Sequence, residues 1–340
     1  MRFPSLAIVG GESLLGKDIR EVLRERALDK NVHLIGADAE ETGKITEEGD
    51  EPVVITAMDE TNLAVADAVI LAGSASASLK AWDLIGSGTR KGNPNPPAVI
   101  DVTRALEEIP SARLRAPQVE RGLIDPAGLP AVVAHPAAIA LTTFFGQLEP
   151  RFRVKRSVVE VFEPASELGK NGIEELHQQS IKLFSFQTLP KSVFDAQLAY
   201  AMLPCFGLEA PQSLVQIEMT LERHLASLFH LREAATPMPS LRLIQAPAFH
   251  GYSISAWVEF EDDTTAGDLL AAMAADGIEI RSSAEEPVSN VNAAGQYGIS
   301  VGDIRADRNH PRAFWFWIAA DNLRLSAENA VKLVLQLCAD

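Results

Sequence analysis

Six short apolar runs, at residues 6–9, 32–37, 53–57, 68–72, 98–101 and 131–134, punctuate the first 134 positions, and the segments between them carry helical spacing. In residues 14–27, for example, Leu14, Leu15, Ile19, Val22 and Leu23 share one side of a helix. A run that is apolar throughout offers no face to water, so it suits a strand covered on both sides, the condition of a parallel sheet with helical crossovers. The alternation predicts a doubly wound, Rossmann-like α/β domain. From about residue 154 the pattern changes. Tyr252, Ile254, Ala256, Val258 and Phe260 alternate with Ser253, Ser255, Trp257 and Glu259, which buries one face only. Residues 154–162, 241–246, 299–305 and 314–319 read likewise, while 182–231 and 265–276 look helical or looped, so the second domain is α+β. Ser326 is the expected N-cap of a closing helix through Leu337, and the expected division is 1–134 plus 320–340 against 135–319.

Composition narrows the function. At roughly 150 residues per domain, a chain of 340 allows two. Apolar residues at 47% and charged residues at 22% suit a globular protein. Thirty Lys and Arg against 46 Asp and Glu leave a net charge of −16, which repels nucleic acid and anionic membranes. Cys205 and Cys338 stand far apart and outside any metal spacing, so neither a disulfide framework nor a zinc site is expected. The longest apolar stretch, 129–145, is broken by Pro130, His135 and Pro136, and the N-terminus lacks a basic-then-apolar leader. A cytoplasmic protein is the expectation.

The segment Gly10-Gly11-Glu12-Ser13-Leu14-Leu15-Gly16 joins the first strand to the first helix, where backbone N–H groups and the helix dipole can hold a pyrophosphate. Its spacing departs from GxGxxG, and Glu12 and Ser13 put side chains where close phosphate approach favours glycine. Two readings stand: a dinucleotide site, or a tight turn whose glycines serve only the chain. Asp38 follows the second strand, 22 residues after Gly16, where an acid takes the ribose 2′-hydroxyl. With Glu40 and Glu41 beside it, this loop favours NAD over NADP.

The stretch Val301-Gly302-Asp303-Ile304-Arg305-Ala306-Asp307, then Ile318-Ala319-Ala320-Asp321-Asn322-Leu323-Arg324, then Asn329-Ala330-Val331, resembles the end of aspartate-semialdehyde dehydrogenases. Asp101, Ala134-His135-Pro136, the segment 166–172 and Pro247-Ala248-Phe249-His250-Gly251-Tyr252-Ser253 fall in the same order as that family's landmarks, so the resemblance covers essentially the whole chain. It implies an oxidoreductase of amino-acid biosynthesis with a dinucleotide domain and a dimerisation and substrate domain. Catalysis there uses a cysteine thiolate that attacks the aldehyde, followed by hydride transfer to the nicotinamide and release by phosphate. The resemblance adds Asn322 to the cofactor-binding set of Gly10, Gly11, Ser13, Gly16 and Asp38.

The catalytic positions have changed. The nucleophile should sit at the start of the helix opened by Pro136, where the dipole lowers a thiol pKa, and Ala138 stands there. The family's base, a histidine, corresponds to Tyr252, whose ordinary pKa near 10 makes it a poor base at neutral pH. The arginine that clamps the substrate carboxylate falls on Gln245, and the glutamine near the thiol on Glu163. The phosphate-binding arginine falls on Glu107, with Arg104 close by, and the arginine for the NADP 2′-phosphate roughly on Glu40. A paralogous group, the Usg-type proteins, resembles the family with such a degenerate site, and this chain is similar to it. The resemblance implies a homodimer without thiol-dependent activity, a pseudoenzyme that binds NAD or NADP, or a small acidic metabolite. The alternative is an NAD(P)-dependent oxidoreductase acting on aspartate semialdehyde or a related aldehyde or acyl phosphate, with Tyr252, His250, His135 or Glu163 as acid and base. A plain dehydrogenase would need Cys205 as nucleophile. Finally, Phe314-Trp315-Phe316-Trp317 puts large aromatics on both faces of one strand, so both faces should be covered.

Overall fold

The computed structural model describes residues 4–48, 51–90, 96–120, 130–281 and 286–337. Its contacts divide the chain into two compact units, Met1–Ala134 with Ser326–Asp340, and His135–Leu325.

The first unit contains β1 (Leu6–Val9), α1 (Leu14–Glu25), β2 (Val32–Ile35), β3 (Ile45–Glu48), β4 (Glu51–Val54), α2 (Glu60–Ala64), β5 (Ala68–Leu71), α3 (Ala75–Arg90), β6 (Ala98–Asp101), β7 (Arg113–Arg115) and β8 (Pro130–Val133). Six of these strands form a parallel sheet in the order β2-β1-β5-β6-β8-β7. Every residue of β1, β5, β6 and β8 is buried, as expected of strands covered on both faces. The chain runs from β1 outward to β2 and returns to β5 on the other side of β1, so strand order reverses between β1 and β5, the place where open α/β sheets bind ligands. The apolar run at 53–57 is a correction. Its first part belongs to β4, which pairs antiparallel with β3 in a separate hairpin. Pro52, which has no N–H, suits a two-stranded ribbon and not the middle of a sheet.

The second unit contains α4 (Pro136–Leu148), β9 (Val154–Glu163), α5 (Gly169–Phe184), α6 (Leu214–Leu231), β10 (Ser240–Gln245), β11 (Tyr252–Phe260), α7 (Ala266–Met273), β12 (Ile278–Ile280), β13 (Ile299–Ala306) and β14 (Ala313–Ala320). Its mixed sheet runs β10-β9-β11-β14-β13-β12. The helix α4, apolar on nearly all sides, lies on one face of it, with Phe144 edge-on to Phe316 of β14 at 5.0 Å between ring centres. It packs there against α6 and α7.

The closing helix, α8 (Asn322–Leu337), starts before the expected cap Ser326. Asp321 supplies the cap instead. Its Oδ1 accepts the N–H groups of Leu323 at 2.9 Å and Arg324 at 3.0 Å, so Ser326 lies inside the helix. By its contacts this first turn stays with the second unit, which ends at Leu325.

Candidate active site

In the first unit, the glycines of the turn are required by close backbone approach. Gly10 has φ +79°, and a Cβ on it would run into the backbone of Gly73, just beyond β5. A Cβ on Gly16 would meet the Gly10 carbonyl and lie 2.8 Å from the Gly11 Cα. The turn is thus pressed against the switch point. Ser13 is the N-cap of α1: its hydroxyl accepts the Gly16 N–H at 2.9 Å and donates to the Ala72 carbonyl at 2.6 Å. The first-turn N–H groups of Leu14 and Leu15 have no carbonyl within their own helix to receive them, so the residues present fit a dinucleotide phosphate.

Glu12 is held aside. Its carboxylate accepts from Thr46 at 2.8 Å and from Arg20 at 2.6 Å, and pairs with Lys17 at 3.2 Å. Burial pulls its pKa upward, and the bonds from Thr46, Lys17 and Arg20 outweigh burial, holding it below the usual glutamate value. Arg20 also donates to the carbonyls of Gly11, at 3.2 Å, and Glu47. Asp38 is exposed, and its Oδ1 accepts the N–H groups of Glu40 at 2.9 Å and Glu41 at 3.0 Å. Arg104 and Glu107 stand in the turn after β6, which Asp101 organises by accepting the Leu106 N–H at 2.8 Å and the Thr103 hydroxyl at 2.6 Å. Burial raises the Asp101 pKa despite these bonds.

In the second unit the register brings several positions that the resemblance singled out into one row. Gln245 of β10 pairs directly with Glu163 of β9. Ser253 of β11 pairs with Phe162, so the next step sets Tyr252 opposite Glu163, and Tyr252 in turn pairs with Ala320 of β14. Residues level across a sheet point to the same side. The Gln245 amide donates to the Glu163 carbonyl at 2.8 Å and to that of Ala246 at 3.3 Å, which leaves its buried Oε1 without a hydrogen-bond partner among the described residues. His135 joins this row from α4, its ring centre 6.3 Å from that of Tyr252. It caps α4 by accepting the Ala137 N–H at 3.3 Å, with Pro136 in the first turn. Its own N–H donates to His224 of α6 at 2.9 Å, an anchor with no signal in the sequence. Ala138 follows in that first turn. Ala138, Tyr252, Glu163 and Gln245 are all fully buried.

Three other expected residues stand apart. Asn322 is fully buried as a strut: it donates to Glu167 at 3.1 Å and accepts from Ser166 at 3.1 Å and from the Gly251 N–H at 3.2 Å. His250 is half-buried, outside the row, and its carbonyl accepts from Asn290 at 2.9 Å. Cys205 is exposed, so its thiol is not part of the buried cluster, and Cys338 lies outside the described residues. Among the described residues no helix is long and apolar enough to cross a membrane.

Residues 147–325 match the family model described as the semialdehyde dehydrogenase dimerisation domain. The chain belongs to the semialdehyde dehydrogenase family. An aspartate-semialdehyde dehydrogenase of Rickettsia bellii is 24% identical over 98% of this chain and 97% of that protein. A USG-1 protein homologue of Azotobacter vinelandii is 26% identical over 96% of each. The crystal structure of aspartate semialdehyde dehydrogenase II from Vibrio cholerae, complexed with ASA, superposes with a TM-score of 0.83 at 21% identity, covering 100% of this chain and 99% of that one. The fold is therefore that of these dehydrogenases. Within it, this row brings Tyr252, Glu163, Gln245 and His135 together in the buried interior of the second unit, with a methyl group and no sulfur at Ala138.

Proposed function

We propose that this semialdehyde dehydrogenase homologue is a homodimer that binds a nicotinamide dinucleotide, NAD in preference to NADP, and lacks the thiol-dependent dehydrogenase reaction. The observation that carries this reading is Ala138. It occupies the first turn of α4, behind the His135 cap, where a helix N-terminus would lower the pKa of a thiol, and a methyl group attacks no carbonyl. Tyr252 in the same buried row supplies no base at neutral pH, and Gln245 supplies no charge for a substrate carboxylate. The dinucleotide supplies hydride transfer when bound. This chain contributes the glycine turn, the Ser13 cap and the N–H groups at the start of α1, while the acids at 38, 40 and 41 disfavour a 2′-phosphate. The small acidic metabolite implied by the resemblance fits less well, since the row offers it no cation.

The test is an assay of purified protein with aspartate semialdehyde, phosphate and NAD or NADP, beside equilibrium titrations with each dinucleotide. Binding without turnover is the expected result, with NAD the tighter ligand. Turnover at about 1–1000 per second would overturn it. A second reading, acid–base oxidoreductase chemistry without a covalent intermediate, is favoured by the 6.3 Å approach of His135 and Tyr252. An activity that survives Cys205→Ala and is lost in Tyr252→Phe would select it.

A further inference from the structure

We propose that His224 is a proton-operated latch on the entry of α4: neutral, it holds the backbone of His135 and with it the turn that leads to Ala138, and protonated, it releases that turn. The latch rests on two acceptors. The His135 N–H donates to Nδ1 of His224 at 2.9 Å, and Nδ1 of His135 accepts the Ala137 N–H at 3.3 Å. A neutral imidazole carries one hydrogen, so a ring whose Nδ1 accepts bears that hydrogen on Nε2. Nδ1 is then the nitrogen left to take a proton. Protonation of either ring removes an acceptor and sets N–H against N–H. Both histidines are only 1% exposed, so the stranded donor finds no water until the turn opens. The donors are ones that a helix start cannot satisfy by itself. The first bond within α4 runs from Ile139 to the His135 carbonyl at 3.1 Å, and the Ala137 N–H, which precedes it, depends on the cap. A cation at this helix N-terminus also opposes the dipole.

The surroundings leave the response to this pair. α4 contains no titratable residue, and the buried residues of α6 other than His224 are all apolar. Glu222 and Arg223 precede His224 on the exposed side of α6. Glu218, on the same helix, accepts the Leu243 N–H of β10 at 2.6 Å, and in β10 the exposed Arg242 alternates with the buried Leu243. Arg232, past the end of α6, packs on Gly146 at the far end of α4. The ionisable groups beside His135 in the row are Tyr252 of β11, at 6.3 Å between ring centres, and Glu163 of β9, level with Tyr252 across the sheet. The sense of the response follows: the bond to His135 is present where His224 is neutral and is lost as pH falls. His135 and Ala138 share the released turn, so acidification loosens both from Tyr252. The latch depends neither on dinucleotide binding nor on a thiol, so its failure leaves the function proposed above standing.

Hydrogen exchange read by mass spectrometry on the full chain tests this, at about pH 8 and about pH 5, on either side of the ordinary imidazole range. Rates are corrected for the intrinsic pH dependence of exchange. Protection of the segment 134–142 is expected to fall about tenfold at the lower pH, the effect of losing one buried hydrogen bond, while β11 keeps its protection. His224→Asn places an amide oxygen, which accepts but does not titrate, near the position of Nδ1. It should hold the segment equally at both pH values. Equal protection of the wild type at the two values overturns the latch, and so does a His224→Asn variant that loses protection as the wild type does. Should that variant fail to fold, nitrogen-15 shifts of the His224 ring decide the matter on unmodified protein. The neutral Nε2–H form at the higher pH and the doubly protonated form at the lower are expected; a ring in one form at both values sinks the proposal.

Discussion

The glycine turn of the first unit and the buried row of the second differ in which atoms would carry a function, the backbone in one and side chains in the other. The turn works through backbone: N–H groups at the start of α1 and the close approach of Gly10 to Gly73 remain although Glu12 and Ser13 have entered the motif. Ser13 even becomes a cap. The row would work through side chains, and under the proposed reading a methyl at Ala138 and a phenol at Tyr252 leave it without a thiol nucleophile or an imidazole base while the strands keep their register. Function carried by the backbone survives substitution; function carried by a sulfur or an imidazole does not.

The largest effect should come from returning side chains to the row. Ala138→Cys combined with Tyr252→His and Gln245→Arg should raise phosphate-dependent oxidation of aspartate semialdehyde about 10²–10⁴-fold over Ala138→Cys alone, the usual contribution of a positioned general base. Initial rates of NADH or NADPH formation measure it. A folded triple variant that still binds dinucleotide and shows no gain would mean that the loss reaches beyond these side chains, and the contrast would have to be redrawn.

The turn should respond in the opposite sense. Gly10→Ala puts a methyl group against the Gly73 backbone at φ +79° and should cost about 3 kcal/mol, combining a left-handed backbone with overpacking. Urea unfolding monitors stability and an NAD titration monitors the site. A variant of normal stability would show that the turn is looser than its geometry implies.

The sequence showed the parallel sheet because β1, β5, β6 and β8 are apolar at every position, and a fully buried strand has no other solution. It showed the positions in the row, but not the row itself, since Gln245, Glu163 and Tyr252 meet only through the register of three strands far apart in the chain. It missed His224, because a histidine in a helix gives no sign that it will accept the His135 N–H. The wrong cap at Ser326 has a local cause. Serine and aspartate are near-equal caps, and only the hydrogen bonds of Asp321 decide between them.

The acidic loop offers a finer probe. One Asp38 carboxylate oxygen holds the Glu40 and Glu41 amides, and in the proposed dinucleotide site the other would meet a ribose hydroxyl. Asp38→Ala should weaken NAD binding about fivefold, the worth of one modest hydrogen bond, and should narrow the preference over NADP. Isothermal titration with both dinucleotides reads the two effects; unchanged affinity for both would remove Asp38 from the site.

The smallest effect tests whether Glu12 braces the turn. Its carboxyl is held below the usual glutamate value against the pull of burial, because Thr46, Lys17 and Arg20 bond the charged form. A carboxylate with a depressed folded pKa contributes stability that is fully present above its unfolded value, near 4.5, and is lost as pH falls through the folded value. The group is partly exposed, so solvent screening limits the contribution to about 0.5 kcal/mol. The stability difference between wild type and Glu12→Gln should therefore be constant at neutral pH and shrink on acidification below about 4.5. A difference that grows on acidification would mean that the carboxylate is strained in the turn instead of anchored by α1 and β3, and that the backbone geometry survives in spite of Glu12.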